Sequence, residues 1–370
     1  MGGLGATFVA DFAATHANPA GLSRSRDVGF TLGFMGAVYG LSMSNAGVQT
    51  PVSIDRARAT VIGLTLPLPF AGPLRNRIAI GLGFYTPTDV VVRGRILSYD
   101  VPQFLVLADR TQSVALQIGA GIDLGYGFRV GGGFGALAAI VGTVLISTDA
   151  TGRAGSRVDN QLVAAFGPIV GASWDRGPFR VGAVFRGELV GNFVVDITTR
   201  DLGINLPVLH IAGIAQYDPW QVAAEVAFVR DGWTLAAGAT FKRWSNYPGP
   251  REATTTGSVP PPAPNFRDTV VGRAGVERRW EIAGSSIAVR GGYFFEPTPV
   301  PDPRPNAFFM DNHRHVFTLG LGVSGRVART TAAVDVYSQL HVLHPRDVAS
   351  QALSFGGTMF VLGVNATVTF

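Results

Sequence analysis

Residues 356–370 read GGTMFVLGVNATVTF, and apolar side chains recur at every second position of this stretch. One predicted face carries Phe360, Leu362, Val364, Ala366, Val368 and Phe370, and the other carries Met359, Val361, Gly363, Asn365, Thr367 and Thr369. A period of two is typical of a β-strand that separates two environments. Transmembrane barrels use about ten residues per crossing and place aromatic girdles at both interfaces. The stretch therefore predicts a membrane-crossing strand.

The same alternation recurs in WTLAAGATFKRWS (233–245), SSIAVRGGYFFEP (285–297) and HVFTLGLGVSGRV (315–327). With apolar positions facing lipid, a set of charged residues falls on the inner face: Arg186, Glu188, Glu225, Lys242, Arg273, Glu277, Arg290 and Asp335. A charge that faces lipid at the bilayer midplane costs about 2–4 kcal/mol, so an inward orientation is the favourable one. Acids and bases are nearly matched in this set, which predicts ion pairs that fill the lumen.

Composition supports a membrane-embedded chain. The 370 residues are 47% hydrophobic and only 15% charged, and mean hydropathy is +0.27. Ordinary soluble domains carry about 25% charged residues. The absence of cysteine excludes disulfides, zinc–thiolate sites and iron–sulfur clusters. The net charge of +5 is spread along the chain without a basic cluster, which gives nucleic-acid binding little support.

Turn signals divide the chain into about fourteen strands. Short connections such as WDRGPF (174–179) alternate with longer ones near 43–55, 87–111, 196–208, 246–267, 297–312 and 343–354. Because no backbone N–H or C=O can stay unpaired in hydrocarbon, the sheet must close. We predict an all-β transmembrane fold, a closed antiparallel outer-membrane β-barrel spanning 28–370. A membrane helix over 130–148 is the alternative, which three consecutive glycines and an adjacent hairpin disfavour.

Several motifs resemble the FadL/TodX family of outer-membrane transporters for hydrophobic compounds such as long-chain fatty acids and aromatic hydrocarbons. GLGATFVADFAATHANPAGL (3–22) resembles the family's N-terminal hatch. RGGYFFEPTPVPDP (290–303) and MDNHRHVFTLGLGV (310–323) resemble its Pro-Val-Pro-Asp loop and the strand that follows. FKRWSNYP (241–248) and LGFYTPTDV (82–90) are similar to a strand end and to the third strand.

The resemblance implies a lumen plugged by a small N-terminal hatch, residues 1–27. It implies passive capture of a hydrophobic ligand in an apolar pocket, followed by exit sideways through the wall beside an inward kink of the third strand. Carried over to this sequence, the hatch turn is Asn18, Pro19 and Ala20, and the kink lies near Gly81 to Gly83. A structural or partner-binding barrel without transport is the alternative function.

Segments 130–146 and 162–172 are apolar or small on both faces, so they supply candidate pocket residues: Ala139, Val141, Leu145, Phe166 and Val170. The equal alternative is that these side chains only fill space under the hatch. If the ligand carries a carboxylate, Arg186 or Arg290 is expected to pair with it. The connection at 149–156 is short for the family, and segment 87–111 is long and apolar, so it is a candidate for outer capture.

No catalytic site, cofactor or metal site is expected. Ser338 and His341 fall on opposite faces of one strand and cannot cooperate. Expected partners are a hydrophobic small-molecule ligand, outer-membrane lipid and lipopolysaccharide, but no nucleic acid; the sequence identifies no protein partner in the envelope. The expected location is the bacterial outer membrane. Since no signal peptide is visible before GGLGATF, we expect that it has been removed or truncated.

Overall fold

The computed structural model describes residues 1–52, 54, 56–88, 102–108, 114–148, 153–200, 208–250, 262–304 and 307–370. The first strands are β1 Gly29–Asn45, β2 Val48–Val52, β3 Ala57–Pro67, β4 Ile78–Pro87, β5 Ala115–Gly125, β6 Phe128–Thr148, β7 Ala154–Arg176, β8 Phe179–Arg186 and β9 Leu189–Arg200. The others are β10 Leu209–Asp218, β11 Gln221–Arg230, β12 Trp233–Lys242, β13 Thr269–Ile282, β14 Ser285–Glu296, β15 Arg314–Val327, β16 Thr330–Val348 and β17 Leu353–Thr369.

These seventeen strands form fourteen crossings of one closed barrel. β2 and β3 both pair with β1 and make the second crossing. β8 with β9 makes the seventh crossing, and β10 with β11 makes the eighth. β17 pairs with β1 from Gly29–Thr369 to Asn45–Leu353, which closes the ring. The predicted transmembrane β-barrel of about fourteen strands is confirmed, and residues 128–148 form the strand β6 rather than a helix.

Side chains alternate between the two surfaces of the wall. On β17, Phe360, Leu362 and Val364 are exposed on the outer surface, whereas Val361 is buried. Strands β12 and β15 present the same outer stripe, with Leu235, Phe317, Leu319 and Leu321 exposed. Within the described ranges, no helix has the length and hydropathy required to cross a bilayer. The exposed aliphatic and aromatic band is the surface that the bilayer covers.

Residues before β1 lie inside the lumen. They include the short helix α1 Ala14–Ala17 and a 3-10 helix from Pro19 to Arg24. Leu22 and Thr15 fill the space that a Cβ at Gly81 would need, at 2.6 and 2.8 Å respectively. Glycines on the inner face of β4 to β6 therefore let the hatch lie directly against the backbone of the wall. The hatch boundary at residue 27 stays a prediction.

Connections differ at the two ends of the barrel. The end at which β1 begins has tight turns such as Tyr126–Gly127 and Asp231–Gly232, with positive φ at both positions. At the other end, strands extend further than the sequence suggests. A two-residue turn, Ala46–Gly47, joins β1 to β2 where a longer connection near 43–55 is expected, and β16 continues to Val348. Part of the predicted capture segment 87–111, namely 89–101 and 109–111, lies outside the described residues.

Two apolar clusters form a cap over this second end. Helix α2, Leu105–Ala108, contributes to both of them. Phe104 and Leu107 pack with Met310 and Phe355, whereas Leu105 and Val106 join aromatic side chains that include Trp244 and Phe309. The Met310 N–H donates to the Gln103 carbonyl oxygen at 2.8 Å, which joins the two cap segments.

The wall is irregular at the seventh crossing, because its two strands, β8 and β9, pair with different neighbouring strands. β8 pairs with β7, but β9 pairs in parallel with β6 and antiparallel with β10. The change occurs at Pro168, which has no N–H to donate to a neighbouring strand, and the Gly187 N–H donates to the Pro168 carbonyl at 2.7 Å. Among the described pairings, the part of β7 that precedes Pro168 pairs with β6 alone.

We expect the substitution Val364→Arg to destabilise the barrel by about 2–4 kcal/mol, because it places a charge against lipid. The measurement is the free energy of folding into phospholipid vesicles from urea titration. The matched control is Asn365→Arg, which faces the lumen directly opposite Asp335. An equal loss of stability in both variants would contradict the assigned faces.

Candidate functional site

A cavity of about 660 Å³ lies in the lumen between the hatch and the cap. Phe12 and His16 of the hatch line it from below, and Leu107 of helix α2 lines it from the capped end. Most of its wall is apolar: Met35, Ala37, Val61, Phe84, Ala115, Leu116, Ala136, Leu137, Leu189, Met359 and Val361. We refer to this space as the upper cavity.

Neutral hydrogen-bonding groups occupy the lower part of the upper cavity. The His16 Nδ1 lies 3.0 Å from the Gln117 Nε2, an arrangement that makes the ring nitrogen the acceptor. His16 is accessible only from within the barrel. Enclosure by the surrounding protein, together with the charges of Arg186 and Arg273, lowers the pKa of His16 to about 3. The imidazole is therefore neutral at physiological pH, consistent with its accepting role.

A buried charge network lies at the edge of the upper cavity. Glu296 accepts from Lys242 at 2.6 Å and forms an ion pair with Arg314 at 3.0 Å. All three side chains are less than 8% exposed. Lys242 and Arg314 share the one carboxylate of Glu296, and the network joins residues of three crossings and braces the wall.

A second cavity, of about 770 Å³, lies on the other side of the hatch, and we call it the lower cavity. Its wall carries Arg290, which pairs with Glu277 at 2.6 Å and also with Asp335. Tyr337 and Gln339 line both cavities. The lumen is therefore divided into an apolar space above the hatch and a charged space beside and below it.

Inward polar side chains hold the hatch. The Glu225 carboxylate accepts from the Gly5 N–H at 3.0 Å and from the Ala6 N–H at 2.6 Å. Arg273 donates to the Gly2 carbonyl at 3.0 Å, and Arg186 donates to the His16 carbonyl at 2.8 Å. Hydrogen bonds to charged groups are worth about 1.5–3 kcal/mol each, so these contacts fix the position of the hatch.

The hatch turn itself is fully buried. The Asn18 amide donates to the carbonyl oxygens of Ala6 at 2.9 Å and Ala172 at 3.0 Å, and its side-chain oxygen accepts from the Ala20 N–H at 3.1 Å. Pro19 and Ala20 lie against inner glycines of β5 and β6, including Gly121 and Gly131. The turn therefore contacts β5 to β7, whereas Phe12, Thr15 and Leu22 contact the third crossing, β4.

The third crossing keeps its strand pairing throughout. β4 pairs with β3 from Ala79 to Pro87 and with β5 from Ile78 to Tyr85, without a register shift on either side. Gly81 and Gly83 give close approach to the hatch rather than a break in the ladder. On the outer surface of β3 to β6, an apolar groove of about 340 Å³ includes Leu66, Ile80 and Phe134. Here a single layer of backbone separates the hatch from the lipid-facing groove.

The predicted pocket residues are dispersed. Ala139 is buried and Leu145 is half-buried on β6, but neither lines the upper cavity. Val141, Phe166 and Val170 are exposed, and Phe166 stacks edge-on against Phe134 on the outer surface. Segment 162–172 is apolar on both faces, so its alternation does not fix which face turns inward.

The two predicted arginines are engaged within the protein. Arg186 holds the hatch, and Arg290 lines the lower cavity in two ion pairs. Sequence reasoning missed Asp218 and Gln216, which line the upper cavity just before the break at Pro219, and it quoted Arg314 only as part of a motif. An isolated acid beside proline is the only sequence signal for Asp218.

Strand β16 separates Ser338 from His341. Ser338 lies on the outer face of β16, while His341 is buried on the inner face and contacts Gln339 at 3.1 Å. In the part of the chain that the structure describes, no group of three histidine, aspartate or glutamate side chains is placed to hold a metal ion.

Comparison with protein-family profiles gives no match, and comparison with curated protein sequences gives none either. The fold is similar to that of a Pseudomonas aeruginosa FadL homologue, with a TM-score of 0.63 and 15% identity over 100% of this chain and 95% of that one. It is also similar to that of the P. putida toluene transporter TodX, with a TM-score of 0.60 and 12% identity over 100% of this chain and 97% of that one. The Ralstonia pickettii toluene transporter TbuX is similar too, with a TM-score of 0.57 and 16% identity over 100% of this chain and 96% of that one. The fold implied by the sequence motifs, that of FadL-type outer-membrane barrels, is confirmed.

We expect Glu225→Ala to release the first residues of the hatch, because two backbone N–H groups lose a charged acceptor worth about 1.5–3 kcal/mol per bond. The result should be a higher single-channel conductance in planar bilayers and faster proteolysis within residues 1–24. Glu277→Ala is the control, since it also removes an inward carboxylate but one that pairs with Arg290. Equal conductance in the two variants would contradict this role of Glu225.

Proposed function

We propose that the protein is a passive transporter of hydrophobic small molecules in a bacterial outer membrane and a distant member of the FadL/TodX family. The observation that carries this proposal is the upper cavity, an apolar space enclosed by the barrel, the hatch and the cap. Its volume of about 660 Å³ lies within the range of about 300–1,000 Å³ that is usual for small-molecule sites.

The physical basis is transfer free energy. Each CH₂ group that leaves water for an apolar environment gains about 0.8 kcal/mol, whereas a water-filled pore offers a hydrophobic solute no such gain. The solved FadL homologue and the toluene transporters share the fold, which is consistent with this use of the lumen. A purely structural barrel, the alternative, has no need for an enclosed apolar space of this size.

We further propose that the ligand leaves sideways through the wall at β4 and β5. The lower cavity is charged, so an apolar molecule would be unfavourable there. At β4 and β5 only backbone separates the hatch from the outer apolar groove, and Phe84 and Leu116 at the end of this region line the upper cavity. Because the β4–β5 ladder is fully paired, exit requires it to open transiently.

Filling the upper cavity should weaken ligand binding. We expect Val361→Trp to lower affinity for a long-chain hydrophobic probe about tenfold, since displacing roughly two CH₂ groups costs about 1.6 kcal/mol. The measurement is equilibrium binding to the purified protein. Leu362→Trp, the next residue, faces lipid and is the matched control. Unchanged binding by Val361→Trp would count against the cavity as the site.

A disulfide across the exit region tests the route. Leu82 and Ile118 are cross-strand partners on the outer face of β4 and β5, and the chain has no native cysteine. We expect the oxidised Leu82→Cys/Ile118→Cys protein to lose uptake and to regain it on reduction, because the ladder cannot open. Leu321→Cys/Val336→Cys, a partner pair on the opposite wall, should transport in both states. Full uptake by the oxidised first variant would exclude this exit.

A further inference from the structure

We infer that the upper cavity selects hydrophobic molecules whose polar end is a hydrogen-bond donor, a hydroxyl or ammonium group, and discriminates against carboxylates. This inference rests on the proposed function, because it concerns the ligand of the same cavity. It follows from how the charged groups around the cavity are paired.

The basic side chain that lines the upper cavity, Arg314, already pairs with a carboxylate of the protein. Its guanidinium is bound to Glu296, and Arg314 is 2% exposed. Lys242 lies behind the same carboxylate, at 2.6 Å from it. The two histidines of the lining are also occupied: His16 is a neutral acceptor beside Gln117, and His341 is buried and contacts Gln339.

Two acids line the cavity, and Asp218, unlike Glu296, is not bound to a basic side chain. It is half-buried at the end of β10, opposite Leu189, where Pro219 interrupts the eighth crossing. Its carboxylate accepts from the Gln216 Nε2 at 3.1 Å, a neutral donor. Among the described residues, no basic side chain lies within ion-pair distance of Asp218, although the charge of Arg186 acts on this carboxylate from further away. Arg186 is directed instead to the His16 carbonyl on the hatch.

A carboxylate that is held by one neutral donor keeps acceptor capacity for a further donor at the edge of the apolar space. A second carboxylate placed there is repelled, and an apolar surrounding strengthens the repulsion relative to water. A hydroxyl or ammonium group instead satisfies the remaining acceptor capacity of Asp218 while the alkyl part occupies the apolar wall. The cavity therefore distinguishes ligands by the sign and donor character of one end.

The test uses three probes of equal chain length, namely 1-decanol, decylamine and decanoate, with the full chain in a non-ionic detergent at neutral pH. For the native sequence we expect decylamine and decanol to bind at least tenfold more tightly than decanoate. In Asp218→Asn the preference for decylamine over decanoate should fall about tenfold, while decanol affinity changes little. Comparing variants in one detergent cancels the partitioning of each probe into micelles.

Two controls accompany this experiment. Asp231→Asn removes the same charge from an exposed turn far from the cavity and should leave all three affinities unchanged. Asp218→Glu keeps the carboxylate and should keep the preference. Heat-dependent migration on gels verifies that each variant is a folded barrel. Binding of decanoate as tight as that of decylamine, or a preference that survives Asp218→Asn, overturns this inference alone. Failure of all three probes to bind would overturn the proposed function as well.

Discussion

The requirement that every backbone hydrogen-bonding group be paired within the bilayer governs this structure. An open sheet would leave a row of N–H and C=O groups facing lipid on each of its two edge strands, at a cost of several kcal/mol for each unsatisfied group. The seventeen residue pairs between β1 and β17 remove both of these edges. With the ring closed, side chains have only two destinations, lipid or lumen. The apolar belt, the inward charges and the enclosed cavities all follow from that division.

The inner surface then has two kinds of region. Beneath the hatch at β4 to β6 it is nearly bare backbone, because Gly81, Gly121 and Gly131 carry no side chain. At β11 and β13, Glu225 and Arg273 reach the hatch instead with charged groups. The hatch is thus packed against one wall and hydrogen-bonded to the other. This asymmetry leaves the upper cavity apolar and places the charged lower cavity on the far side.

The alternation of side chains was sufficient to predict the closed barrel, because lipid enforces a period of two on strands such as β15 and β17. It also oriented Glu225, Arg273 and Arg290 correctly toward the lumen. The alternation did not orient Phe166 and Val170 correctly. Their strand is apolar on both faces, so the pattern does not indicate which face points into the lumen. The upper cavity brings together residues from eleven crossings and the hatch, and which of them meet depends on register and on the cap. Asp218 lines that cavity beyond a register shift between Ile214 and Gln216, an irregularity of the pairing that the local sequence pattern does not contain.

The position of the hatch has a consequence for assembly. Residues 1–24 precede every strand of the barrel in the chain, yet they end enclosed by strands drawn from nearly the whole sequence, with buried hydrogen bonds to partners as distant as Thr318. A cap covers one end of the finished cylinder, and the seam between the first and last strands is continuous. The hatch must therefore already lie within the curved, incomplete sheet when β17 finds β1. The final pairing event in biogenesis is thus also the step that traps the N-terminal segment inside.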